Sequence, residues 1–453
     1  MPSPHVSLWR DRILRFAAGA GGTIVSAFAG VIRNKWLATH LETAGIGIVS
    51  QVVASQAVFG AVIGLGLGLP VTRAVAAAVG RGDDAAARRI AATAFALVSA
   101  AALPAAVLVF AFARQISALL LGTPDHAALV RVSVFGLAGV GLFGVAQGLC
   151  AGRSDVRAPI AFALGGAGAA TILTFALVPR FGLFGAAVAA AVLYPVGVVS
   201  MLWVHARRHP EALAPRPKPF FDRREAGALL GVAGAALVLP VIDQGVLLAL
   251  RAHVVRAHGA SANGLLQAAI ALSQQVGALF YAYLASYALG KISAVGGAPG
   301  IQAYTRRQWA PLIAAAAIAL AFAMVAAAPL LHLLYSSRFD PARTMMAYTL
   351  VGEFGRVCLQ AVALGSLPLG GAGLWFRIGI LQPATLAVCY AGFAATGSGE
   401  LSLPRAYATA AAVTLGISAW MMARAGVSLG ARQLAIAGAG YALLLALLGW
   451  TVG

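Results

Sequence analysis

Thirteen apolar stretches, each close to bilayer length, run almost without interruption from Ile13 to Trp450. A spanning helix needs about 20 mostly apolar residues, so these segments leave little chain for anything else. Of all residues, 61% are hydrophobic and 10% are charged, where soluble domains carry roughly 25% charged residues. The expected fold class is an all-α polytopic membrane protein. The expected spans are 13–32, 45–70, 91–112, 128–151, 159–178, 184–205, 227–249, 263–289, 310–334, 344–364, 378–396, 402–422 and 433–451.

The net charge of +19 raises the question of nucleic acid. The cations are spread through short loops rather than gathered on one basic domain, which speaks against nucleic acid and for cytoplasmic loops. With the N-terminus inside, cytoplasmic segments hold 21 cations and the opposite side 10, and Arg356 falls within a span. That bias sets the N-terminus in the cytoplasm. All seven tryptophans fall at expected span ends, where an indole sits between lipid and water. Arg10, Arg12 and Arg15 before an apolar run allow a signal peptide, but an uncleaved first helix is the better reading with so many spans following. Cys150, Cys358 and Cys389 form no metal-binding or disulfide pattern. No cofactor and no metal is expected.

The longest polar stretch, 206–226, carries Arg207, Arg208, Arg216, Lys218, Arg223 and Arg224 among four prolines. Proline and like charge keep such a segment extended, and it reads as a cytoplasmic linker. The halves beside it repeat. Ser55, Gln56, Arg73, Arg88 and Arg89 return as Ser273, Gln274, Lys291, Arg306 and Arg307, all at an offset of 218, and the offset drifts to 220 by Leu183/Leu403. The expected organisation is a six-helix lobe over 1–205, the linker 206–226, a second six-helix lobe over 227–424, and an extra helix in 425–453. Six helices per repeat is even, so both lobes insert alike and their symmetry axis follows the membrane normal, around a central cavity.

The run from Arg33 to Glu42 followed by Gly45, Ile46 and Gly47 resembles the first-loop pattern of polysaccharide flippases in the MATE/MOP transporter superfamily. Gly64 to Arg73 with Gly82, Asp83 and Arg88, then Gly182 to Ala189, Ile242–Asp243 and Leu334–Tyr335 with Arg338–Phe339, are similar to later family segments. Glu42 stands where that family commonly has glycine. The resemblance covers residues 10–425. It implies two lobes in a V shape that move a lipid-linked oligosaccharide from the inner to the outer leaflet, and the similarity to related lipid II flippases implies an arginine at the place of Arg33 that faces the cavity and the pyrophosphate.

A charge at bilayer depth costs about 2.5–3.5 kcal/mol on insertion scales and needs a partner or a wet cavity. Arg356 is the clearest case, with Glu353 and Gln360 on the same helix face. The set is either a structural ion pair or a cavity site. Arg33 and Lys35 suit phosphate, because a guanidinium gives bidentate, charge-assisted bonds. The bland alternative is a snorkelling interfacial cation beside Trp36. Gln51, Gln267 and Gln274 are the remaining substrate-binding candidates, in stripes that serve sugar hydroxyls or merely bond between helices. Glu353 and Asp243 are the ion-coupling candidates, with Asp243 alternatively paired to Arg251. Gly139 to Gly144 matches a dinucleotide pattern, but it lies inside a span, where glycines serve close helix packing. No enzyme motif and no large loop is present.

The expected function is translocation of an undecaprenyl-pyrophosphate-linked sugar repeat unit across a bacterial inner membrane. The expected partners are a polysaccharide polymerase, glycosyltransferases and membrane lipids. The alternative is a multidrug exporter of the same fold, with a membrane-embedded enzyme behind it.

Overall fold

A computed structural model describes residues 4–210, 221–284, 288, 291–292, 295 and 297–452. Residues 211–220 of the linker, Arg216 and Lys218 included, lie outside the described residues. The rest is helical almost throughout, with no strand among the described residues. Nine helices among the described residues are long and apolar enough to cross a membrane. Three of these nine are pairs of helices joined at a single non-helical residue: Glu42, Gly182 or Gly259. Ala342–Ala363 is a further helix of membrane length. With each pair taken as two helices, these segments follow the order of the expected spans among the described residues.

The breaks explain why the helices stop where they do. Gly182 has φ 52° and Gly259 φ 86°, a region open to glycine and costly for a residue with a Cβ. Glu42 adopts φ 59° and ψ −169° without being glycine, in a region costly for a residue with a Cβ. The first helix is also longer than the expected 13–32. It runs from Pro4 to the break at Glu42.

By packing, the chain divides into Met1–Leu248 and Ala249–Gly453. In the first unit, Ala127–Gly152 is the central helix, and its glycines let neighbours in. A Cβ on Gly139 would lie 2.5 Å from Pro195 Cδ, and one on Gly152 would lie 2.8 Å from Val75 Cβ. The spurious dinucleotide pattern is thus a packing stripe at Gly139 and at Gly141, where a Cβ would crowd Ile63. In the second unit the central helix is Ala342–Ala363, flanked by Ser402–Arg424, Gly297–Val325 and Ala431–Val452. Cys150 and Cys358 are buried and Cys389 is half-buried, all as free thiols.

The tryptophans separate. Arg207 lies 3.9 Å over the Trp203 ring and Arg424 lies 4.1 Å over Trp420, with both indoles exposed, as at a membrane interface. Trp309 differs. It is 3% exposed and belongs to the protein interior.

Candidate functional sites within the membrane

In the second unit, polar side chains from three helices meet at Glu353. Ala342–Ala363 supplies Glu353 eleven residues from its start, so the carboxylate lies about 16 Å along a membrane-length helix. Glu353 is fully buried. Tyr281 donates to its Oε1 at 2.6 Å and Tyr407 donates to its Oε2 at 2.9 Å. Arg356 donates to the Tyr407 hydroxyl at 2.8 Å and lies over the Tyr407 ring. Glu353 and Arg356 were expected to share a face, and they do so with Tyr407 between them. Gln360 is exposed. Gly277 makes room for the acid: a Cβ there would collide with Glu353 Oε1.

This arrangement has no counterpart in the other half of the repeat. At the family of offsets 218–220, Val134 answers Glu353, Leu137 answers Arg356 and Ala187 answers Tyr407. A duplicated scaffold therefore stands without the acid, the arginine or the tyrosine. Packing alone does not demand them.

In the first unit the corresponding feature is Arg33. It lies nine residues before the break at Glu42, about 13 Å along the helix. It is half-buried, with Tyr194 in electrostatic reach. Tyr194 in turn packs against Phe143 and Phe162, with centroids 5.6 and 5.7 Å away. No ion pair between Arg33 and a carboxylate occurs among the described residues. Lys35 is half-buried two residues on.

The offset of 218 carries Arg33 to Arg251, eight residues before the break at Gly259. Each unit therefore holds one arginine at the same register below a helix break. Arg251 is buried and donates to Asn263 Oδ1 at 3.0 Å. Asp243 is half-buried and accepts from Gln244 at 3.1 Å.

Gln51 is fully buried and donates to the Leu248 carbonyl at 3.1 Å. Ser273 and Thr349 share a buried hydrogen bond of 2.7 Å. Gln267 and Gln274 are half-buried on the face that carries Tyr281.

Sequence reasoning missed Tyr407, Tyr194 and Asn263. Only Arg251 had a signal, the 218 offset.

No family model matches the sequence, and no curated protein aligns with it. Solved structures do. The lipid II flippase MurJ in its inward closed conformation superposes with TM-score 0.71 at 12% identity, covering 97% of this chain and 99% of that one. An inward-facing multidrug resistance MATE transporter of the MOP superfamily gives 0.69 at 16% identity, covering 91% and 98%. A MOP transporter from Pyrococcus furiosus, described by the reversed polarity of its binding pocket, gives 0.54 at 17%, covering 91% and 94%. These identities speak for fold. The chain has an all-helical membrane fold similar to the folds of these transporters.

Proposed function

We propose that the protein moves an anionic, lipid-linked oligosaccharide, of the undecaprenyl-pyrophosphate class, from the inner to the outer leaflet of a bacterial cytoplasmic membrane by alternating access. The observation that carries this reading is Arg33. A guanidinium on an apolar helix, near a tyrosine and without a paired carboxylate among the described residues, suits a phosphate that supplies the missing charge. Lys35 adds a second cation on the same segment, and the aromatic set at Tyr194 offers faces for a sugar ring. Glu353, held by two tyrosines and linked to Arg356, is the proposed ion-responsive group of the second unit. Asp243, half-buried, is the second carboxylate proposed for coupling. Gln267 and Gln274, on the Tyr281 face, are proposed to meet sugar hydroxyls, and Gln51 to hold helices together.

The second reading is a multidrug exporter, because MATE structures superpose as well. Pocket charge separates the two. A cationic drug wants a carboxylate where this chain places Arg33. In a strain lacking the gene, lipid-linked oligosaccharide should collect on the inner leaflet and surface polysaccharide should disappear. Both should return with the wild type and with Arg33→Lys in part, but not with Arg33→Ala. Unchanged polysaccharide together with new sensitivity to cationic drugs would establish the exporter instead.

A further inference from the structure

Away from the membrane interior, the turn between Ala127–Gly152 and Ala158–Phe162 meets the end of Gly168–Arg208. This is the face that the charge bias places in the cytoplasm. The turn is built to aim one side chain. Ser154 adopts φ 55°, and the Asp155 N–H bonds the Cys150 carbonyl at 2.9 Å. The carboxylate of Asp155 is thereby delivered, fully buried, to the helix end.

Its two oxygens have different surroundings. Oδ1 accepts from Arg208 at 2.8 Å and from the Arg157 N–H at 3.1 Å. Oδ2 faces two imidazoles, His205 Nδ1 at 2.9 Å and His209 Nε2 at 3.9 Å. His205 and His209 are four apart at the end of one helix, so their rings stack on one side, with centroids 4.7 Å apart. One ligand atom from each of the three residues lies within 4.8 Å of the others.

We infer that Asp155, His205 and His209 form a binding site for a divalent transition ion of the zinc class. Two imidazoles and one carboxylate are the donor set such ions take, with a fourth position left to water. Around a tetrahedral ion with bonds of about 2.0–2.2 Å, ligand atoms stand roughly 3.3–3.5 Å apart. The 2.9 and 3.9 Å separations bracket that value, so small side-chain shifts suffice. His205 is 2% exposed and its Nε2 has no hydrogen-bond partner. Its Nδ1 now bonds Asp155 Oδ2, so an ion taken at Nδ1 displaces the proton shared there. Arg208 and the Arg157 N–H hold Oδ1, leaving Oδ2 to point at the histidines, the outer-shell orientation that metal carboxylates use. Arg208 and Arg153 also oppose added positive charge, so the ion is exchangeable rather than a folding requirement. Its effect would be to fasten the 153–157 turn to the helix end from which the 206–226 linker departs.

The test uses the full-length protein, free of affinity tag, in nanodiscs. Titration with Co²⁺ should develop visible d–d bands of four-coordinate intensity, saturating at one ion per chain and erased by Zn²⁺. His209→Ala should weaken binding at least tenfold with its metal-free melting temperature unchanged, since His209 is partly exposed at the helix end. Asp155→Asn should lose the bands as well, and His332→Ala should keep them. Absent bands at tenfold excess Co²⁺, or bands unaltered in His209→Ala, would overturn the site. The readout does not depend on what the protein transports.

Discussion

Glu353 and Arg356, three residues apart on one helix, meet through the hydroxyl of Tyr407, which gives its proton to the acid at 2.9 Å and receives one from the arginine at 2.8 Å. Charge is therefore balanced across a hydroxyl contributed by another helix. A proton or cation arriving at Glu353 would loosen Tyr407 and release the arginine, which makes the triad a place where an ion and a rearrangement can be linked.

Arg356→Ala should abolish surface polysaccharide while the protein remains inserted. Glu353→Ala combined with Arg356→Ala should stay inactive if the triad couples transport. Restored activity in the double variant would mark the pair as structural, because it leaves no orphan charge. Tyr407→Phe leaves a buried acid and an arginine each short of a partner, and should lower stability by about 1–3 kcal/mol. Thermal unfolding in detergent measures it.

Glu42 carries a backbone conformation that belongs to glycine. Such a residue costs about 1–3 kcal/mol, so Glu42→Gly should raise the melting temperature with transport retained. A lower melting temperature would show that the Glu42 side chain compensates its own strain.

Much of the fold could be read from the sequence because hydropathy reports burial in lipid one residue at a time. The thirteen segments and their order follow from that alone. The sequence places a loop between 32 and 45 but not the residue that breaks it, since Glu42 is no glycine; Gly182 and Gly259 fall between expected spans and carry the residue type a break needs. Site residues divide in the same way. Glu353 and Arg356 stood out because charge is rare in a span. Tyr407 and Tyr194 did not, because a tyrosine in an apolar helix is ordinary until tertiary packing brings an acid or an arginine to it. Asp155 and His205 are 50 residues apart and gave no pattern.

The proposed topology has a direct check. Cysteines placed in the 206–226 linker should resist impermeant thiol reagents in intact cells, and His258→Cys, at an exposed position beside the Gly259 break, should label. Labelling of the linker from outside would invert the proposed orientation.

The Asp155 carboxyl has a defined acid limit. Burial alone would raise it, but the His205 hydrogen bond, the Arg157 N–H and the charges of His205 and Arg208 outweigh burial and hold it below the ordinary carboxylate range. Its contribution to stability is then fully present above the unfolded value of about 3.9 and is lost only as pH falls through the depressed folded value. Melting temperatures of wild type and Asp155→Asn should differ by a constant amount from pH 5 to 8 and converge in stronger acid. A difference that already shrinks between pH 7 and 5 would contradict this.

The last expectation concerns the driving force. A pyrophosphate headgroup carries roughly two negative charges, and each is worth about 2.3 kcal/mol per 100 mV of membrane potential. With the cell interior negative, outward passage of the anion is favoured by the potential alone, provided Arg33 stays fixed while the headgroup leaves it. Arg33 sits on a helix that packs within the first unit, so it is part of the scaffold and not of the cargo. In proteoliposomes with a potassium–valinomycin potential and clamped pH, transport of the lipid-linked oligosaccharide should reverse direction with the sign of the potential. Transport that ignores the potential but follows a proton or sodium gradient would sink the electrogenic mechanism. It would move the coupling to Glu353 and Asp243, and Glu353→Gln should then abolish the gradient dependence while leaving substrate binding at Arg33 intact.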